Sequence, residues 1–139
     1  MANPPAVLMV ELVMSIDRMI QSAQSANEKQ SHLVIPGEWP AQVILGHVSQ
    51  VDEQVWMPRI AQMCQALEAG EKPPSFTWWE PDATATYDRF SEMSLSEASA
   101  LAMSARTQLL SVVKDLTPEQ WAATAEHDAF GHIDVSGLV

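Results

Sequence analysis

WPAQVILGHVSQVDEQVWMPRIAQMCQAL, residues 39–67, combines a long apolar stripe with a potential metal ligand or base, as no other part of the chain does. Placing residues at about 100° each gathers Ile44, Leu45, Val48, Val51, Val55, Ile60, Met63 and Leu67 on one broad face, which predicts a long amphipathic helix. Asp52 falls near the middle of that face and His47 at one edge. Pro58 removes a backbone hydrogen bond and is expected to kink the helix. Gly70 and the Pro73-Pro74 pair close it.

Outward from this stretch the chain reads as more helix. Toward the N-terminus, Pro4 and Pro5 suit a first helical turn, and a helix is expected from about Pro5 to Ser25. Val7, Leu8, Leu12, Ile16, Met19 and Ile20 would form its buried stripe. The polar run Gln24–Ser31 ends it, and residues 32–37 read as a connector closed by the Pro36-Gly37 turn. Toward the C-terminus, residues 71–94 lack sustained periodicity and hold Phe76, Trp78, Trp79 and Tyr87. They read as a long loop whose aromatics cover the end of the core or form a lid. Ser94-Leu-Ser-Glu97 is a capping box opening a helix to about Leu116, with Leu95, Ala98, Ala102, Leu109, Val113 and Leu116 inward and Arg106 among them. Thr117-Pro118-Glu119-Gln120 starts a short helix carrying Trp121. Residues 126–132 read as a loop, and 133–139 as the start of another helix. The expected fold is therefore all-α, an antiparallel bundle of three long helices and an incomplete fourth.

Composition bounds the function. The 139 residues, 47% apolar, suit a single domain spanning 1–139. A formal net charge of −11 without a Lys/Arg cluster argues against nucleic-acid binding and against an anionic membrane surface. No apolar run is long enough to span a bilayer, and the start lacks the basic region of a signal peptide. Cys64 is the single cysteine, so an internal disulfide is excluded and a reducing, cytoplasmic setting is the default expectation.

The chemical candidates are few. His47 has no second histidine one helical turn away, and such a residue can be packed core, a base or a metal ligand. His127 and His132 could join it in principle, while His32 reads as exposed. Asp52 and Arg106 are expected to pair across two helices, because either buried alone would cost several kcal/mol; a substrate-binding role for Arg106 is the alternative. Cys64, among apolar neighbours, reads as inert core. Nucleophile triads, phosphate-binding glycine loops and dinucleotide fingerprints are absent.

Pro36-Gly37-Glu38-Trp39 leading into Val43-Ile44-Leu45-Gly46-His47-Val48 and Val51-Asp52 resembles the signature opening the second helix in the DinB/YfiT-like superfamily. Tyr87-Asp88-Arg89-Phe90, the helix with Arg106, Leu116 to Trp121, and His127 to Gly131 follow in the family's order. The resemblance implies an up-down-down-up four-helix bundle, commonly a homodimer. It also implies a divalent metal (nickel, zinc or iron-like) held by three histidines, with His47 as the first. The other two belong to a histidine pair on the fourth helix that this sequence does not reach, and neither His127 nor His132 matches it. Two readings stay open: a piece of a longer protein, favoured by the amphipathic start at 133–139, or a divergent member without the metal. The implied function is transfer, hydrolysis or isomerisation of a small molecule, with a low-molecular-weight thiol as a possible cofactor. The rival is a non-catalytic dimeric bundle that binds a small ligand or protein partner; a stress-linked module touching DNA is disfavoured by the charge.

Overall fold

The computed structural model describes residues 5–25 and 38–138. The connector, with His32 and the Pro36-Gly37 turn, lies outside them. Helix α1 spans Pro5–Gln24. Helix α2 (Ala41–Val51) runs through a π turn, Asp52–Trp56, into α3 (Met57–Ala69), which ends at Gly70. There follow strand β1 (Ser75–Phe76), α4 (Ala83–Phe90), α5 (Leu95–Lys114), α6 (Pro118–Trp121), β2 (Thr124–His127), β3 (Gly131–Asp134) and α7 (Val135–Leu138).

Helix α5 is central and packs against both α1 and α2. Its start is the expected cap, Ser94 Oγ accepting from the Glu97 N–H at 3.0 Å. Fully buried Ala98, Ala102 and Ala105 keep its inner face narrow, so α2 can approach closely. The core falls into two apolar clusters. One joins Leu8, Ile60, Met63, Leu109, Val113, Trp121 and Val135; the other joins Ile16, Ile20, Leu45, Leu95, Ala98 and Ala102. Along α1, the long helix and α5 alike, the boundary between them is polar. There the Arg106 Nε donates to Asp52 Oδ2 at 2.8 Å, and its Nη1 to the Leu12 carbonyl and Ser15 Oγ at 2.9 and 3.0 Å. The expected ion pair thus forms, and it ties three helices together.

Four expectations need correction. The fold is mostly helical but not all-α, because β1 pairs parallel with β2 and β2 antiparallel with β3 in one small sheet. Residues 126–132, expected as loop, make the β2–β3 hairpin, turning through residues 128–130 into Gly131, whose φ of 72° suits glycine. The presumed loop 71–94 contains α4, whose N-cap is Asp82 accepting from the Ala85 N–H. Finally, Ile44 and Leu67 on the long helix are 42% and 45% exposed, and Val7 and Met19 on α1 are exposed as well. On the long helix the buried face is turned toward Gln42, Val43 and Gly46, because α4 covers that side. A Cβ added at Gly46 would run into the Phe90 ring, so α4 sits where only glycine leaves room. Gln42 Nε2 donating to the Ser91 carbonyl, and Thr86 Oγ1 to Gln50 Oε1, dock the same helix.

Candidate functional site

A cavity of about 500 Å³ opens beside the α2–α3 helix, a size suited to a small organic molecule. The long helix lines it with His47, Val51, Val55, Trp56 and Arg59, the segment after β1 with Trp78, Trp79 and Glu80, and the hairpin with His127 and Phe130; Trp39 completes the wall. His47, Val51, Val55 and Arg59 form a ladder of i+4 steps. In a uniform α-helix, at about 100° per residue, twelve residues would turn Arg59 about 120° from His47. Five residues of π turn advance about 80° each and cut the divergence to about 20°. The widened turn ends with the Met57 N–H donating to the Asp52 carbonyl, just before Pro58, which has no N–H to give. The disturbance expected at the proline is thus absorbed by a π turn that brings both residues to one wall.

His47 lies edge-on to Trp39, with ring centroids 5.2 Å apart and planes at 64°, and nearly parallel to Trp79 at 6.2 Å and 14°. Its Nδ1 is buried and has no hydrogen-bond partner among the described residues. The two aromatic neighbours fix the ring in the cavity wall. The described residues contain no group of three or more His, Cys, Asp and Glu able to hold a metal ion. A metal at this wall would draw on His47, and the described residues place no second and third such ligand beside it.

The other end of the cavity is built differently. Arg59 stacks over the Phe76 ring at 4.8 Å, and its Nη2 donates to the Thr77 carbonyl at 2.8 Å. Burial lowers its pKa from the ordinary value, an effect that Asp128 opposes. No carboxylate among the described residues lies within ion-pair distance of it. The two nearby acids are engaged with Trp78: Asp128 Oδ1 accepts its backbone N–H at 2.8 Å and Glu80 Oε1 its indole N–H at 3.0 Å. Buried His127 packs against Phe130 at 4.6 Å and accepts the Ala129 N–H on Nδ1 at 3.0 Å. A peptide N–H can only donate, which assigns the neutral ring's proton to Nε2.

The sequence-derived candidates sort accordingly. His47 and His127 line the same cavity, whereas His132 is exposed and contacts Glu126 Oε1 at 2.6 Å. Cys64 is buried core whose thiol pKa is pushed up by burial and then by Glu68. Of the loop aromatics, Phe76 enters the core, as expected, while Trp78 and Trp79 line the cavity wall. Arg59 was not a sequence candidate. The i+4 ladder down from His47, read together with Pro58, is the signal that points to it.

Among solved structures the chain resembles the mycothiol-dependent maleylpyruvate isomerase, with TM-score 0.66 and 12% identity, over 96% of this chain and 54% of that one. A histidine-to-alanine variant of that enzyme matches with TM-score 0.67, 10% identity and the same coverages. YfiT from Bacillus subtilis, described as a probable metal-dependent hydrolase with an unusual four-helix bundle topology, matches with TM-score 0.68 and 12% identity, over 94% of this chain and 73% of that one. The chain thus spans about half the length of the isomerase. At these identities the likeness is one of fold. No curated protein sequence matches. The superfamily model, by contrast, aligns with residues 11–139, and the chain belongs to the DinB superfamily.

Proposed function

We propose that this protein is a DinB-like enzyme acting on a small molecule, with His47 as one ligand of a divalent metal (nickel, zinc or iron-like) in the aromatic cavity. The observation carrying this reading is the imidazole of His47, which lines the cavity between Trp39 and Trp79. A metal bound there supplies Lewis acidity that lowers the pKa of a water or of a low-molecular-weight thiol. The chain's own part is positional: Trp39 and Trp79 fix the imidazole plane, and Val51, Val55 and Trp56 exclude water from the reacting groups. Relatives in fold that are named a mycothiol-dependent isomerase and a probable metal-dependent hydrolase support an enzyme in this coarse sense, and transfer, hydrolysis or isomerisation is the reaction class we propose. In this reading the long helices follow the up-down-down-up order of a four-helix bundle, and the lone thiol suits the cytoplasm.

A second copy of the chain is the partner we assign to the apolar face of α1, where Val10, Val13 and Met14 are exposed beside Leu110. Sedimentation should show a dimer that Val10→Glu dissociates. One observation favours a second reading, ligand binding without catalysis: the described residues lack a three-ligand cluster. Elemental analysis of the purified protein and of His47→Ala separates the two. The metal reading expects divalent metal in the first and its loss in the variant; equal occupancy, or none in either, overturns it.

A further inference from the structure

The structure assigns a carboxylate-binding subsite to the Arg59–His127 end of the cavity, so that the molecule bound there is a small organic anion with a planar or apolar body. This rests on reading the cavity as a small-molecule site. The argument starts from two donors that face each other. Arg59 Nη1 lies 3.4 Å from His127 Nε2. Because the Ala129 N–H occupies Nδ1, the proton of the neutral ring is on Nε2. Asp128 Oδ1 also lies 3.3 Å from Nδ1, but the peptide N–H at 3.0 Å is the shorter contact. With the proton on Nε2, a guanidinium N–H and an imidazole N–H cannot satisfy each other, and the contact is two donors converging on one acceptor. A protonated ring leaves Nε2 a donor as well.

The acceptor is not supplied by the fold. Asp128 and Glu80 accept from Trp78, and no described carboxylate comes within ion-pair distance of Arg59. Thr77 and Phe76 hold the guanidinium by one edge and one face, which fixes its direction without neutralising it. Asp128 acts on Arg59 from a distance without pairing with it, so in a chain of formal net charge −11 a cation with no direct ion pair among the described residues lines this aromatic cavity. A carboxylate matches its geometry, two acceptor oxygens for a forked donor and a neighbouring N–H, and it brings the smallest negative charge into an end that already holds Asp128 and Glu80. A phosphate dianion would leave a charge uncompensated, with Asp128 and Glu80 near. Trp56, Trp78 and Phe130 offer faces for the apolar body, and His47 lines the same cavity one ladder away.

The test uses sodium benzoate and its neutral isostere benzamide, titrated into the full chain at neutral pH. Tryptophan fluorescence is one readout and the shift of the thermal unfolding midpoint another. Benzoate should bind about tenfold more tightly than benzamide, the discrimination expected of a charge-assisted pair. Arg59→Gln should bring the two ligands to parity, Arg59→Lys should keep part of the preference, and Lys114→Gln, the same charge change outside the cavity, should keep all of it. Equal affinities in the unaltered protein, a preference surviving Arg59→Gln, or inorganic phosphate binding more tightly than benzoate would each overturn the subsite. Benzamide binding without a benzoate preference removes the subsite alone. If neither ligand binds, the small-molecule reading of the cavity falls with it.

Discussion

Two arginines in this bundle meet opposite surroundings. Arg106 is buried between the two core clusters and spends its donors on Asp52, the Leu12 carbonyl and Ser15. Arg59 lines an open cavity, with one carbonyl, one ring face and another donor for neighbours. A buried charge whose partners are all supplied by the chain is part of the scaffold, since nothing is left for a ligand to satisfy. A half-matched charge against aromatic walls is tolerable only because water or a ligand completes it. The contrast teaches where to look for function: incomplete polar pairing marks the site, and complete pairing marks the frame that holds it.

The contrast is most easily broken from the scaffold side. Replacing Asp52 with Ala leaves the Arg106 charge buried without its partner and should cost about 3–5 kcal/mol in denaturant unfolding. Combining Asp52→Leu with Arg106→Met should recover part of that loss, because the pair is then exchanged for apolar packing. Gly46→Ala comes next. Its new methyl meets the Phe90 ring, and the displacement of α4 should cost about 1–3 kcal/mol in the same measurement. Arg59→Gln should lower stability by about 1 kcal/mol or less, mostly through the lost stacking on Phe76. A loss as large as that of Asp52→Ala would erase the distinction between the two arginines.

The smallest effect is a pH slope. Burial raises the Cys64 thiol above its ordinary value of 9.0, so the unfolded chain releases this proton first as the solution becomes alkaline. Stability associated with the protonated thiol is complete below pH 9 and is lost as pH rises toward the folded value. Urea midpoints measured from pH 8 to 10 should fall less steeply for Cys64→Ala than for the unaltered chain.

The scaffold was legible in the sequence because its signals are long or local. Sustained periodicity marks α1, the long helix and α5, and Ser94 and Thr117 sit in capping patterns that act within one turn. Asp52 and Arg106 announced each other by being charges of opposite sign in apolar stripes. The cavity was less legible. Helix α4 is eight residues with few apolar positions, too short for periodicity to stand out. Strands β2 and β3 are four residues each, and β2 finds β1 through a pairing about fifty residues apart that no local pattern encodes. His127 reaches the cavity only through that pairing. Arg59 reaches it only because the helix is not uniform.

That nonuniformity makes chain length a variable of its own here. The π turn, Asp52–Trp56, is a phase shift between two stretches of helix, each regular in itself. Deleting one residue inside it would let the segment close as regular α-helix, because four residues at about 100° turn the chain as far as five at about 80°. Ile60 and Met63 would stay in the core and Arg59 in the cavity wall. Core and site are therefore keyed to the same supernumerary residue, the one position in this helix that can be lost without changing the facing of either.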